Sequence, residues 1–179
     1  MGHYPEEYRA YLVYFHAERD YFECHEILEE YWKSNPQDPL APAWVGLIQL
    51  AVGLYHERRS NTSGALKMLN GANSRLTEDA LEKLGIEAGE FRRRLEERIR
   101  LIEEGSNLPY LDWNLPLADS DLLEECRKAA LEKKAVWEAA SNLENADLIH
   151  KHSRRDRSDV IRERLTSREA KSRQRGRIG

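Results

Sequence analysis

The 179-residue sequence predicts an all-α fold, a compact array of about five to six antiparallel helices followed by a basic C-terminal tail that is helical or disordered. Apolar residues recur at intervals of three and four over most of the chain, the repeat that gathers them on one side of a helix. No stretch of four or more residues alternates apolar and polar with β-branched enrichment, so nothing reads as a strand. Residues able to accept hydrogen bonds from free helix amides stand just ahead of the apolar runs.

The first helix starts at Pro5, with Glu6 and Glu7 in its first turn, and runs through Tyr8, Leu12 and Phe15 toward Arg19. Asp20, followed three residues later by Glu23, opens a second as a capping box, and this helix stops before Asn35-Pro36. Pro36, Pro39 and Pro42 stiffen the connection to a third helix, residues 43–59, which is apolar nearly all round and is therefore placed at the centre. Asn61 or Thr62 caps a fourth with Ala65, Leu69, Ala72 and Leu76 on one face, and 77–85 reads as a short helical turn. A fifth, residues 87–104, carries Phe91, Leu95, Ile99 and Ile102 and ends at Gly105. Tyr110, Leu111, Trp113 and Leu115, between Pro109 and Pro116, are too apolar for a free linker and are expected against the bundle. Ser120 caps a sixth helix, residues 121–141. The Tyr4, Tyr8, Tyr11 and Tyr14 series and Trp44 read as core or boundary residues.

The expected divisions are a helical bundle over 1–105, an apolar loop and accessory helix packed on it over 106–145, and a basic tail over 146–179, frayed into disorder by about residue 167. Residues 151–179 hold 11 Lys/Arg against 4 Asp/Glu, a charge of +7, whereas residues 1–150 hold 28 Asp/Glu against 17 Lys/Arg, a charge of −11. A segment so basic and so poor in aromatics is expected to be disordered or loosely associated with the chain's own acidic body or a second copy, the alternative being weak pairing with nucleic-acid phosphates or acidic proteins without base recognition. The longest apolar run, 43–55, is shorter than the roughly 20 residues of a membrane span. Cys24 and Cys126 stand alone, and the opening Met-Gly-His-Tyr-Pro-Glu-Glu has no apolar signal core, so a reduced, cytoplasmic protein without membrane contact is expected.

The chemistry-bearing stretch is His25-Glu26-Ile27-Leu28-Glu29-Glu30-Tyr31-Trp32. At about 100° per residue, Glu29 lies some 40° around from His25, among Tyr21, Phe22, Leu28 and Trp32. Gly46, Gln49, Gly53 and His56 form one seam of small and polar residues along the central helix. If the second and third helices pack against each other, His25, Glu29, Gln49 and His56 converge. Two imidazoles and a carboxylate suit zinc or another divalent transition metal, with Glu26 placed as a general base would be. His-Glu-x-x-Glu differs from the zincin His-Glu-x-x-His by one ligand, and a His and a Glu four apart also make an ordinary ion pair. The same four residues therefore also read as a buried hydrogen-bond network that fixes helix register. Glu23 reads as a cap, Cys24 as a small core residue, and Arg58-Arg59 as a solvated turn with anion binding as the alternative.

His25-x-x-x-Glu29-x-x-Trp32, preceded by Tyr21-Phe22-Glu23 and followed by Gly46-Leu47-Ile48-Gln49-Leu50-Ala51, His56, Asn61, Gly64 and Ala65, resembles the prokaryotic, largely bacterial family of domain of unknown function 309. The resemblance covers residues 8–76. It implies a small all-helical protein without an assigned role, whose motif has been put forward as a metal site at His25 and Glu29 with Trp32 beside them. Two function classes stay open. One is a binding or scaffold module whose buried His/Glu/Gln cluster is structural and whose surface or tail engages a partner, with Gln49 and Trp32 as the binding residues. The other is a metal-dependent, hydrolase-like enzyme with His25, Glu29 and His56 as ligands and Glu26 as base.

Overall fold

A computed structural model of the chain describes residues 3–105, 107 and 109–154. The chain divides into two compact units, residues 1–144 and 145–179. The first contains α1 (Glu6–Val13), a π-helical turn (Tyr14–Glu18), α2 (Tyr21–Ser34), α3 (Ala41–Arg58), α4 (Thr62–Arg75), α5 (Glu78–Lys83), α6 (Ala88–Glu103) and α7 (Ser120–Glu132). The fold is all-α. Among the described residues the only β-like feature is one bridge between Ile86 and Leu117.

The helix starts follow from their caps. Asp20 accepts from the Glu23 amide, Asn61 from Gly64, Thr77 from Ala80, Glu87 from Gly89 and Glu90, and Asp119 from Asp121 and Leu122. Two elements depart from expectation. The first helix does not continue regularly to Arg19: after Val13 it widens into the π turn and stops at Arg19, whose φ of 52° is left-handed. The last helix of the unit is capped by Asp119 rather than Ser120 and ends at Glu132, because residues 133–144 turn back with Lys134 and Glu138 at positive φ.

The core mixes aromatic and aliphatic side chains in one cluster. Tyr8, Tyr11, Phe15, Tyr21 and Trp44 are fully or almost fully buried, beside Leu47, Leu50 and Leu54 of α3 and Leu69, Leu81, Phe91 and Leu95. Two buried tyrosines spend their hydroxyls on backbone, Tyr8 donating to the Leu84 carbonyl at 2.7 Å and Tyr11 to that of Leu47 at 2.7 Å. α3 is packed most closely by α4. A Cβ at Gly46 would lie 2.8 Å from Leu76 Cγ, and one at Gly53 2.7 Å from Leu69 Cδ2, so the two glycines set that helix separation.

Residues 109–119 form a strap over the bundle. Trp113 and Leu115 are buried, and the far end is pinned where the Ala118 amide donates to the Gly85 carbonyl at 2.7 Å and the Glu87 amide to that of Pro116 at 2.8 Å. Gly85, at φ 73°, makes the turn that allows this return.

The second unit contributes α8 (Ala146–Ile149), capped by Asn145, and α9 (Lys151–Arg154). The expected course of the basic tail beyond Arg154 lies outside the described residues. Among those described, no helix is long and apolar enough to cross a membrane.

Candidate functional site

α2 presents the motif on a half-exposed face. His25 Nε2 lies 2.6 Å from Glu29 Oε2, and the Lys33 ammonium lies 2.6 Å from the other oxygen of Glu29. Hydrogen bonding from Lys33 and the charge of His25 draw the Glu29 carboxyl below the usual carboxylate range against a smaller opposing effect of burial. The side chains of His25 and Glu29 are 29% and 30% exposed, so water shares in solvating the pair. Glu26 stands 3.7 Å from His25 Nδ1, and the Phe22 ring lies 5.9 Å from the imidazole. Trp32 is half-buried against the core.

The seam on α3 faces α4. Gln49 Oε1 accepts from Arg75 at 3.4 Å, and its amide fills the space left by Gly71, where a Cβ would lie 2.6 Å from Nε2. His56 Nδ1 lies 3.2 Å from the Asn61 amide nitrogen, at the start of α4. The glycines of the seam meet Leu76 and Leu69, as described above. The structure thus brings His25 together with Glu29, and places Gln49 and His56 with residues of α4. Among the described residues no group of three or more His, Cys, Asp or Glu is arranged to hold a metal ion. His25 and Glu29 supply two donors where zinc sites use three or four. Cys24 is fully buried, its thiol toward the Tyr11 carbonyl at 3.5 Å and its pKa pushed well up by burial, which suits a core residue and not a nucleophile.

With Glu29 a surface partner, Glu29→Ala is expected to cost about 0.3–1 kcal/mol, the value of a helical ion pair that remains partly in water. Glu30→Ala, at an exposed position, is expected to cost under about 0.5 kcal/mol. Urea midpoints of the two variants check this, and a loss above about 2 kcal/mol for Glu29→Ala would mean that the pair is buried in solution.

The buried polar chemistry lies elsewhere, under the strap. Arg19 is 2% exposed and uses its whole guanidinium: Nε donates to the Ala139 carbonyl at 2.7 Å, Nη1 to those of Phe15 at 3.2 Å and Trp113 at 2.9 Å, and Nη2 to Asn114 Oδ1 at 2.6 Å. Asp112 lies 4.0 Å from Arg19 and accepts from Tyr21 at 3.0 Å, Tyr110 at 2.9 Å and the Ser141 hydroxyl at 2.6 Å, as well as from the Ser141 amide. Burial alone would raise the Asp112 pKa, but the bonds from Ser141 and Tyr110 and the Arg19 charge outweigh it and leave the pKa lowered. Arg58, expected in a solvated turn, is buried. It donates to the Arg19 carbonyl at 2.8 Å and to Ser141 Oγ at 3.1 Å, with its guanidinium 4.6 Å from the centre of the Tyr21 ring. His16, fully buried, is the fourth member. Its Nδ1–H donates to the Leu12 carbonyl at 2.7 Å and its Nε2 accepts from the Leu115 amide at 2.9 Å, which fixes the neutral tautomer. This hub ties the π turn, α2, α3, the strap and residues 139–141 to one another.

Beside the hub is a cleft of about 270 Å³, lined by Glu57, Arg98, Leu101, Ile102, Leu111 and Trp113 among others. Glu57 accepts from Arg98 Nε at 2.7 Å, and burial raises the Glu57 pKa despite that partner. Arg98 also donates to the Leu111 carbonyl, and its guanidinium lies 5.4 Å from the centre of the Tyr110 ring. The buried Trp113 indole N–H has no acceptor among the described residues. Leu111 is 71% exposed at the edge of the cleft.

A profile for the domain of unknown function DUF309 matches residues 8–68, from α1 into α4, and so spans His25, Glu29, Trp32, Gln49 and His56. The uncharacterised protein YpuF of Bacillus subtilis (strain 168) is 48% identical over 163 residues, which cover 90% of this chain and 92% of that protein. The chain belongs to the DUF309 family. An uncharacterised protein of Aquifex aeolicus (strain VF5) is 30% identical over 96 residues, 54% of this chain and 28% of that protein. No solved structure matches. The DUF309 match ends before α6 and the strap, so the outer walls of the cleft and most of the partners of Arg19 lie beyond it.

Proposed function

We propose that this DUF309 protein is a binding module and that the cleft between α6 and the strap is where it binds. The observation that supports this reading is an apolar recess whose inner charges are already neutralised. Glu57 and Arg98 satisfy each other, so apolar surface can enter without stranding a buried charge. Leu101, Ile102 and Leu111 supply the greasy rim, and covering an exposed leucine contributes about 2 kcal/mol. Arg19, Asp112 and Arg58 hold backbone from separate segments together, which supports a structural role for the buried polar groups.

The neutral aromatic probe N-phenyl-1-naphthylamine tests the reading. The full chain is expected to raise its fluorescence saturably, with one site, and Leu101→Asp is expected to reduce that affinity at least about tenfold, a change of about 1.4 kcal/mol. Binding that is unchanged in Leu101→Asp would place the probe elsewhere and remove the cleft as the site.

The competing reading is a divalent metal on His25 and Glu29 completed by His56, with Glu26 as base. Two donor side chains on one face, His25 and Glu29, support it, but their direct 2.6 Å contact would have to open around the ion and His56 would have to give up its contact with Asn61. Equilibrium dialysis of untagged protein against zinc decides, because this reading requires stoichiometric zinc that is lost in Glu29→Gln.

A further inference from the structure

We propose that the occupant of the cleft is a second copy of this chain, in a two-fold dimer in which Leu111 of each protomer enters the cleft of the other. This rests on the cleft being the binding site. A two-fold contact uses the same patch on both copies, so the patch must carry a projection and a recess that match. Here they are adjacent. Leu111, 71% exposed, forms one edge of the recess that Leu101, Ile102 and Trp113 also line.

Charge favours this patch for self-association. Residues 1–150 carry −11 against +7 on residues 151–179, so the acidic parts of two copies repel each other. The cleft lining is neutral, with Glu57 and Glu97 balanced by Arg94 and Arg98. The outer face of α6 alternates in sign as well: Arg93 sits 2.6 Å from Glu90 and 3.7 Å from Glu97, and Arg100 3.0 Å from Glu104. When such a face meets its own copy in the opposite direction, acids of one protomer can lie against arginines of the other.

The projection is also preorganised. The Leu111 carbonyl is held by Arg98, and its neighbours Tyr110 and Asp112 are tied to Tyr21 and Ser141. A side chain on backbone already fixed by its neighbours loses little further freedom on docking.

Sedimentation of the full chain from about 5 to 500 μM in moderate salt tests the proposal. The weight-average mass is expected to climb from 20.9 kDa toward twice that value within this range. Leu111→Asp is expected to remain at the monomer mass throughout and to match the wild-type thermal midpoint at about 5 μM, where both are monomeric and the side chain is exposed, while Leu111→Met retains the association. Apolar docking survives about 0.5 M salt, whereas attraction between the basic tail and acidic surface is screened there. A monomer at every concentration, a dimer that persists in Leu111→Asp, or one lost at high salt each overturns the proposal. A monomer that still takes N-phenyl-1-naphthylamine leaves the cleft as the site of another occupant, small molecule or foreign peptide. A monomer that takes no probe removes both readings.

Discussion

Arg19→Ala is expected to destabilise the protein by about 3–5 kcal/mol and to lower the thermal midpoint by about 10 °C. The size follows from what is stranded. Three backbone carbonyls and the Asn114 side chain lose a charged donor, and Asp112 loses a cation 4.0 Å away in a site where burial already opposes its ionisation. Each buried acceptor left unpaired costs about 1–3 kcal/mol, partly recovered if water enters. The left-handed backbone at this position adds strain for alanine, although arginine bears the same strain in the native protein. Arg19→Lys keeps the charge and loses the planar fork, so it is expected to restore less than half of the loss. Urea unfolding followed by near-ultraviolet circular dichroism, which senses Trp113 and Trp137, measures both. Unfolding free energies within about 1 kcal/mol of the wild type for Arg19→Ala would show that the hub is solvated and does not hold the strap.

The sequence makes the helical part of this fold legible and hides the hub. Periodicity and caps place α2, α4 and α6 to within a few residues, because both signals are local. What α3 faces is not local. Gly46, Gln49, Gly53 and His56 are visible as a seam, but spacing along one helix does not say which neighbour fills it. The short Arg59–Asn61 connection brings α4 against α3, and Gly71 completes the fit to Gln49. Arg58 shows the same limit. An Arg-Arg pair at a helix end looks solvated until residue 141 returns to cover one of the two.

Asp112 did leave a signal. It is the one charged residue in the apolar run Tyr110–Leu115, a segment that has to lie on the bundle, and a carboxylate carried there needs donors. Arg19 gives less. Its left-handed backbone follows from the π turn before it, and a one-residue widening of a helix has no reliable mark in composition. The family motif was legible from sequence, yet its geometry at His25 and Glu29 is that of a half-exposed pair. The difference arises because the stripe containing His25 and Glu29 is only partly covered, whereas Tyr21, Cys24 and Leu28 take the buried positions.

Acidification is expected to weaken the protein through His16, beginning below pH about 6.5. Burial, assisted by the charge of Arg19 and opposed by the bond to the Leu12 carbonyl, lowers the His16 pKa to about 3. The unfolded chain, with its ordinary imidazole, therefore binds a proton that the folded chain refuses throughout the interval from about 6.5 to 3. The stabilisation is present in full above the upper limit and is lost at about 1.4 kcal/mol per pH unit on the way down, amounting to about 2 kcal/mol by pH 5. Structure supplies the reason for the refusal. A proton on Nε2 would turn the acceptor of the Leu115 amide into a second donor facing it, and so break the tie between the π turn and the strap. Other shifted groups act at lower pH or in the opposite sense. The lowered carboxyls of Glu29 and Asp112 withdraw stability only as they take up protons below their ordinary range, while the raised pKa of Glu57 adds stability as the pH falls toward it. Between pH 6.5 and 5 the decline therefore belongs chiefly to His16. His16→Gln is expected to be less stable at pH 7.5, because one side-chain amide cannot bond both Leu12 and Leu115 as the ring does, but to have a nearly flat profile over that interval. Urea midpoints at half-unit steps from pH 7.5 to about 5 give the comparison, and an equal fall in wild type and His16→Gln would mean that the imidazole is protonated in the folded protein.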